Sequence, residues 1–328
     1  MSQLVITRNI GETAVAKLTH ARLGFSHNKP DVSWTQQMLI ANAKNAEALV
    51  CLLSDKMSAE VMDALPNLKL IANVAVGYDN IDVQAATERG IIVTNTPDVL
   101  TETTADLAFA LLLAIARRIP ESDSYMRAEK YTRFELFPDM LGMDVCGKTL
   151  GIVGMGRIGT AVARRGALGF SMPILYCGRS QNEAAAAEFG ATFVSFNELL
   201  AKSDFVSVNV ALTPETTHLF DINTFRKMKQ TACLINTARG PVVKEADLVT
   251  ALKTGLLRGA ALDVFEFEPK MVAGLADIHD KLVVTPHIGS ATIDTRHKMA
   301  DIAVNNVLAY FAGERPLTMV NPEVFDNQ

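Results

Sequence analysis

A chain of 328 residues exceeds what one ordinary hydrophobic core holds together, so two domains are expected. Hydrophobic residues make up 49% and charged residues 20%, which excludes a disordered chain, and the formal net charge of −5 argues against a nucleic-acid or anionic-membrane surface. The longest apolar run, Leu107 to Ala116, is about half of what spans a bilayer, and "MSQLVITRNI" lacks a basic region followed by an apolar stretch, so a cytoplasmic protein without a signal peptide is expected.

In chain order, "LVITRNI" (4–10), "ALVCLLS" (48–54), "KLIANVAV" (69–76) and "GIIVTN" (90–95) read as strands. Between them, "VSWTQQMLIANAKNA" (32–46) and "SAEVMDALP" (58–66) repeat apolar residues at helical spacing. Near-continuous apolar strands separated by amphipathic helices describe a parallel sheet covered on both faces, so the first hundred residues form an α/β domain of their own. "TETTADLAFALLLAIARR" (101–118) is a helix, apolar nearly all round, and is expected to be buried against another domain or another subunit. A second alternating series follows, with strands at 148–154, 173–178, 205–212, 232–238, 258–264 and 282–287. The helix over 295–314 has no further strands to join, so it is expected to pack back on the first domain. The four cysteines, Cys51, Cys146, Cys177 and Cys233, show neither metal nor redox spacing and read as buried thiols; no metal is expected.

The second series opens on "GIVGMGRIG", in which Gly154, Gly156 and Gly159 fit G-x-G-x-x-G between a strand and a helix. Gly154 allows the tight turn, Gly156 lets backbone approach a pyrophosphate, and Gly159 allows close helix–strand packing. The helix start adds free N–H groups and partial positive charge. NAD-binding units usually end their second strand with an acid for the adenosine ribose. Here "YCGRS" offers Arg179 and Ser180 instead, which favours NADPH while leaving NADH possible. Three later strands end on loops bearing Arg239, then Glu266 and Glu268, then His287. Histidine suits protonation of a carbonyl oxygen, a carboxylate on its other nitrogen favours imidazolium, and arginine offers a planar fork for a substrate carboxylate. An Arg–Glu ion pair and a surface histidine would also fit these residues taken singly.

From about Ala48 to Pro322 the chain resembles the D-isomer-specific 2-hydroxyacid dehydrogenases. The stretches that carry the resemblance are "NVAVGYDNID", "TPDVLTETTADLAFALLLA", "GKTLGIVGMGRIG", "LINTARGPVV", "GAALDVFEFEP" and "PHIGSAT". It implies two doubly wound parallel-sheet domains: a Rossmann cofactor domain, 101–287, inserted into a flavodoxin-like substrate domain built from 1–100 and 288–328, with the active site in the cleft. In that family the catalytic acid directly precedes proline, which selects Glu268 over Glu266. The resemblance further implies a homodimer built on the cofactor domains.

The activity implied is hydride transfer to the C2 carbonyl of a small 2-oxo acid, with His287 as proton donor, Glu268 orienting it and Arg239 holding the carboxylate. The backbone N–H groups of Val76 and Gly77 complete the carboxylate site, and Leu53 and Ser54 join the substrate contacts. Thr104, Arg157, Ile158, Thr237, Ala238, Asp263 and Gly289 join the cofactor contacts, Asp263 through the nicotinamide carboxamide. Within the family the chain is most similar to glyoxylate/hydroxypyruvate and 2-ketogluconate reductases. It departs from them near residue 131, where "EKYTRFELFPDM" lacks their frequent tryptophan, so that Tyr131 or Phe134 stands in for it. Phosphite dehydrogenases carry lysine where this chain has Val76. Cofactor-gated corepressor scaffolds resemble the family too, and turnover of 2-oxo acids separates that reading from an enzyme.

Overall fold

The computed structural model describes residues 3–326, and the chain divides into two compact units, 1–100 with 290–328, and 101–289. The first segment runs β1 (Leu4–Ile6), α1 (Glu12–His20), β2 (Phe25–His27), α2 (Gln36–Ala43), β3 (Ala48–Cys51), α3 (Ala59–Asp63), β4 (Leu70–Asn73), α4 (Val83–Glu88) and β5 (Ile92–Thr94). The second unit opens with α5 (Thr101–Arg117) and α6 (Ile119–Arg127). It continues with β6 (Leu150–Val153), α7 (Arg157–Arg164), β7 (Ile174–Cys177), α8 (Glu183–Phe189), β8 (Thr192–Phe193), α9 (Phe196–Lys202) and β9 (Phe205–Val208). It ends with α10 (Ile222–Phe225), β10 (Cys233–Asn236), α11 (Glu245–Lys253), β11 (Gly259–Leu262) and β12 (Leu282–Val284). The chain then returns to the first unit with α12 (Ile293–Phe311) and α13 (Glu323–Asp326).

Both sheets are parallel throughout. The first has the order β2-β1-β3-β4-β5, the doubly wound order of flavodoxin-like folds. Val5, Leu49, Cys51, Ile71 and Val93 pack with Leu39, Met62 and Leu65 on one face, while α12 covers β3 and β4 on the other beside α1. The second sheet runs β12-β11-β10-β9-β6-β7-β8, which is the Rossmann order extended by β12. Its strands feed two cores by strict alternation: Phe205, Cys233 and Ile235 face α5 and α7, whereas Val206, Val208 and Leu234 face α11. That is why these strands read as unbroken apolar runs.

Four features differ from the sequence reading. The edge strands β2 and β8 have no counterpart among the apolar runs, because β2 is half-exposed and both residues of β8 are exposed. Helix α5, expected against another domain or subunit, is buried within its own unit. It lies on α7 and on β10, β11 and β12, so closely that a Cβ on Gly259 would come 3.0 Å from Ile115. Cys146 is exposed, in the irregular segment before β6, while the other three thiols are buried. The second unit extends to Gly289 rather than residue 287, because Ile288 and Gly289 donate their N–H groups to the Asp263 carboxylate, both at 2.8 Å.

The tail after α12 closes the β5 edge. Asn321, 1% exposed, accepts the Val93 N–H at 2.8 Å and donates to Thr87 Oγ1 and the Ile91 carbonyl, both at 2.9 Å. Asn321→Ala leaves buried groups of β5 without partners, and we expect a loss of about 2–4 kcal/mol in urea unfolding. A loss below about 0.5 kcal/mol would show that the tail is not what holds this edge.

Candidate active site

The second unit gathers its chemistry at the carboxyl ends of its parallel strands, where α/β sheets place ligands. After β6, Gly154 adopts a φ of +96°, and an added Cβ would collide with the Asn209 backbone. At Gly159 a Cβ would collide with the Gly154 carbonyl, which brings the start of α7 against the strand end. At Gly156 a Cβ would meet no protein atom within 4 Å. Of the three motif glycines, Gly156 alone leaves room beside its backbone, as the motif requires where a pyrophosphate approaches. Arg157 and Ile158 follow it as the first residues of α7.

Beyond β7, Arg179 and Ser180 are exposed, and Arg179 forms no hydrogen bond or ion pair among the described residues. Asn182, which no sequence motif marks, ties this loop to the glycine turn. Its side-chain amide donates to the Met155 carbonyl and Thr160 Oγ1, and its N–H donates to the buried Tyr176 hydroxyl at 2.8 Å.

At the end of β10, the fully buried Asn236 shapes the turn that carries Thr237, Ala238 and Arg239. It accepts the Ala238 N–H at 3.0 Å and donates to the Arg239 carbonyl at 2.9 Å. Thr237 Oγ1 and Asn209 Oδ1 are buried without a partner among the described residues, two orphaned polar atoms on the edge that carries the glycine turn. The next residue, Gly240, presses on the Phe265–Glu266 peptide so closely that any Cβ would collide with it.

His287 and Glu268 meet. His287 Nδ1 lies 2.9 Å from Glu268 Oε2, and Glu268 Oε1 accepts the Phe265 N–H at 3.0 Å. Burial opposes ionisation of Glu268, but the His287 hydrogen bond and charge, the Phe265 N–H and the Arg239 charge outweigh it and hold the carboxyl below the usual carboxylate range. The depressed value means that the pair's contribution is present above the ordinary carboxylate range and is lost as pH falls through the folded value. With Nδ1 turned to Glu268, His287 Nε2 makes no hydrogen bond among the described residues. His287 sits at φ +55°, in the left-handed region that residues other than glycine adopt uncommonly. Its N–H donates to the Asp263 carbonyl at 2.8 Å.

Glu266 turns elsewhere, to His218 Nε2 at 2.7 Å. Asp263, 1% exposed, takes three donors: Thr285 Oγ1 at 2.6 Å and the Ile288 and Gly289 N–H groups. Its observed work is to hold the loop that carries His287, with one acceptor position of Oδ2 left over. Thr104, buried in α5, lies beside Gly289, where a Cβ would come 3.4 Å from it.

In the first unit, the residues expected at the substrate lie at the carboxyl ends of β3 and β4. The Ala75 carbonyl accepts the Thr96 N–H, and the Val76 carbonyl accepts the Asn95 side chain, both at 2.9 Å. In a trans peptide the N–H points opposite its carbonyl, so these bonds aim the Val76 and Gly77 N–H groups away from Thr96 and Asn95. The Gly77 carbonyl is held by Asn73 at 2.9 Å. The turn containing Leu53 and Ser54 is pinned by Asn80 and by the buried Asp55, whose carboxylate takes the Leu52 N–H at 2.9 Å. Ser54 Oγ lies 3.4 Å from Arg8 Nη1.

Residues 109–289 match the family model for the D-isomer specific 2-hydroxyacid dehydrogenase NAD binding domain. A glyoxylate reductase of Korarchaeum cryptofilum is 48% identical over 323 residues, 98% of this chain and 96% of its own. The chain belongs to the D-isomer-specific 2-hydroxyacid dehydrogenases. Among solved structures, the TT0316 protein of Thermus thermophilus is 41% identical with a TM-score of 0.89, covering 97% of this chain and 99% of that one. An NADPH-dependent glyoxylate/hydroxypyruvate reductase of Sinorhizobium meliloti, solved with NADP and malonate, is 33% identical with a TM-score of 0.87 over 99% and 98%. As a member of this family the protein is an oxidoreductase that uses a nicotinamide cofactor. The glycine turn, the open Gly156 and the orphaned Thr237 and Asn209 atoms fit such a group.

Two alanine substitutions separate packing from binding. Gly159→Ala is expected to lower the melting temperature. Gly156→Ala should leave melting unchanged yet weaken cofactor binding at least about tenfold, because its methyl enters the space the pyrophosphate needs. An unchanged Kd for Gly156→Ala, measured by fluorescence titration, would remove this turn from the cofactor site.

Proposed function

We propose that this protein reduces small 2-oxo acids, glyoxylate and hydroxypyruvate, to D-2-hydroxy acids with NADPH. The observation that carries the reading is the 2.9 Å contact between His287 Nδ1 and Glu268, which leaves Nε2 to serve a substrate. The names of similar proteins agree with it: a glyoxylate reductase over nearly the whole chain, and an NADPH-dependent glyoxylate/hydroxypyruvate reductase among the solved structures.

The bound reduced nicotinamide supplies the hydride. Arg239 holds the substrate carboxylate with its planar fork, joined by the N–H groups of Val76 and Gly77, and Leu53 and Ser54 contact the rest of the acid. His287 Nε2 donates the proton to the oxygen at C2, and Glu268 holds the ring through Nδ1 so that Nε2 is turned to it. Gly154, Gly156, Arg157, Ile158 and Gly159 would hold the cofactor's pyrophosphate. Thr104, Thr237, Ala238, Asp263 and Gly289 would hold its nicotinamide end, with one acceptor position of Asp263 still open. Residues 101–289 act as the cofactor domain and the other unit as the substrate domain.

The same reading makes the protein a cytoplasmic homodimer. Tyr131, Phe134, Leu136 and Phe137 are 52%, 80%, 71% and 78% exposed on the cofactor unit, an apolar surface that a second copy would cover. Tyr131 or Phe134 then takes the place of the relatives' tryptophan.

His287→Ala should lower kcat for glyoxylate reduction by roughly 10²–10⁴-fold while the NADPH Kd stays within about twofold. Activity within about threefold of the parent would take His287 out of the reaction. Arg179→Ala should weaken NADPH binding about 10- to 100-fold and NADH far less, since a charge-assisted bond to the 2′-phosphate is worth about 1.5–3 kcal/mol. A parent kcat/KM for NADH equal to that for NADPH would end the assignment of Arg179 and Ser180 to that phosphate.

A further inference from the structure

Next to Glu268 lies a second pair of acids that the reaction does not use. Glu245, the first residue of α11, is 1% exposed, and its carboxylate accepts the N–H groups of Glu266 at 2.6 Å and Val272 at 2.9 Å. Glu266 answers in the opposite sense. Its Oε2 accepts the Glu245 N–H at 3.0 Å, and its Oε1 lies 2.7 Å from His218 Nε2. Each acid therefore holds the other's backbone, and the anchored residues 266 and 272 bracket Glu268. Apolar packing does not fix the middle of this segment, for Phe267 is 59% and Met271 38% exposed.

A buried carboxylate needs hydrogen bonds in place of its water, and here two loop N–H groups supply them. Glutamine cannot replace it: its oxygen would take one N–H, but its NH₂ would face the other. The charged groups around the clamp are His218 on Glu266, and Lys244 paired with Asp247 at 3.3 Å on the same helix turn. Those around Glu268 are His287 and Arg239.

We propose that Glu245 is a positioning residue: its reciprocal clamp with Glu266, closed by His218, sets the direction in which Glu268 presents its carboxylate to His287. The clamp acts on the proton-donating histidine only through Glu268, so the inference rests on the function proposed above.

The test compares Glu245→Gln, His218→Gln, Glu268→Gln and the double variant E245Q/E268Q in the pH dependence of kcat for glyoxylate reduction at saturating NADPH, with the NADPH Kd measured beside it. Glu268→Gln should move the alkaline limb to lower pH by about 1–3 units, the reach of an opposite charge at this distance. Glu245→Gln should move it the same way by less and lower kcat about tenfold, with the cofactor Kd unchanged. His218, whose side chain is 42% exposed, probes the clamp without emptying the core, and His218→Gln should shift the limb in the same direction. The double variant should keep the limb of Glu268→Gln, because the clamp has nothing left to position. Unmoved limbs in both Glu245→Gln and His218→Gln, beside a moved limb in Glu268→Gln, would overturn the clamp, and so would additive shifts in the double variant. An unmoved limb in Glu268→Gln would instead overturn the proton-donor reading itself.

Discussion

A backbone that leaves a parallel sheet at its carboxyl edge loses its strand partners just where ligands bind, and its amides must still be satisfied. In this protein buried and half-buried amide and carboxylate side chains meet that demand. Asp263 holds the loop carrying His287, Asn236 the turn carrying Arg239, and Glu245 the segment carrying Glu268. In the first unit Asn73, Asn80, Asn95 and Asp55 do the same for the turns after β3 and β4. The residues expected to touch substrate are thus held by neighbours that do not touch it.

The division between holder and held explains what the amino-acid sequence discloses. The glycine spacing is a local pattern, readable from a few letters, whereas the choice of Glu268 over Glu266 and the set Arg239, Glu268 and His287 become legible only through the ordered motifs that resemble the family. The alternation of Phe205 with Val206, or of Cys233 with Leu234, reads as one apolar run, and that run already signals a sheet covered on both faces. The holders give no such signal. Glu245 and Val272, or Asn321 and Val93, are far apart in sequence and meet only after folding. Nor does composition say where an apolar helix goes: α5 is apolar on several sides because it touches two helices and three strands of its own unit. The short edge strands β2 and β8 bury too little to leave a pattern.

Two acids two residues apart illustrate how packing assigns roles that chemistry alone leaves open. Glu266 and Glu268 carry the same group on the same loop. Gly240, by pressing on the Phe265–Glu266 peptide, and Glu245, by binding the Glu266 N–H, fix this loop so that one carboxylate meets His218 and the other His287. A separate holder fixes the left-handed backbone of His287: the Asp263 carbonyl accepts its N–H, and the Asp263 carboxylate bonds Thr285 before it and Ile288 after it.

The return of α12 to the first sheet also orders events in time. On the ribosome, residues 1–100 emerge with one face of β3 and β4 uncovered, since Met299, Ala303, Val304 and Val307 of α12 are buried only when that helix arrives. The unit between is continuous in sequence and has every strand it needs by Val284. Synthesis therefore completes the interior unit first and the flanking one last, and until then a half-covered sheet is the surface that a nascent chain offers to chaperones.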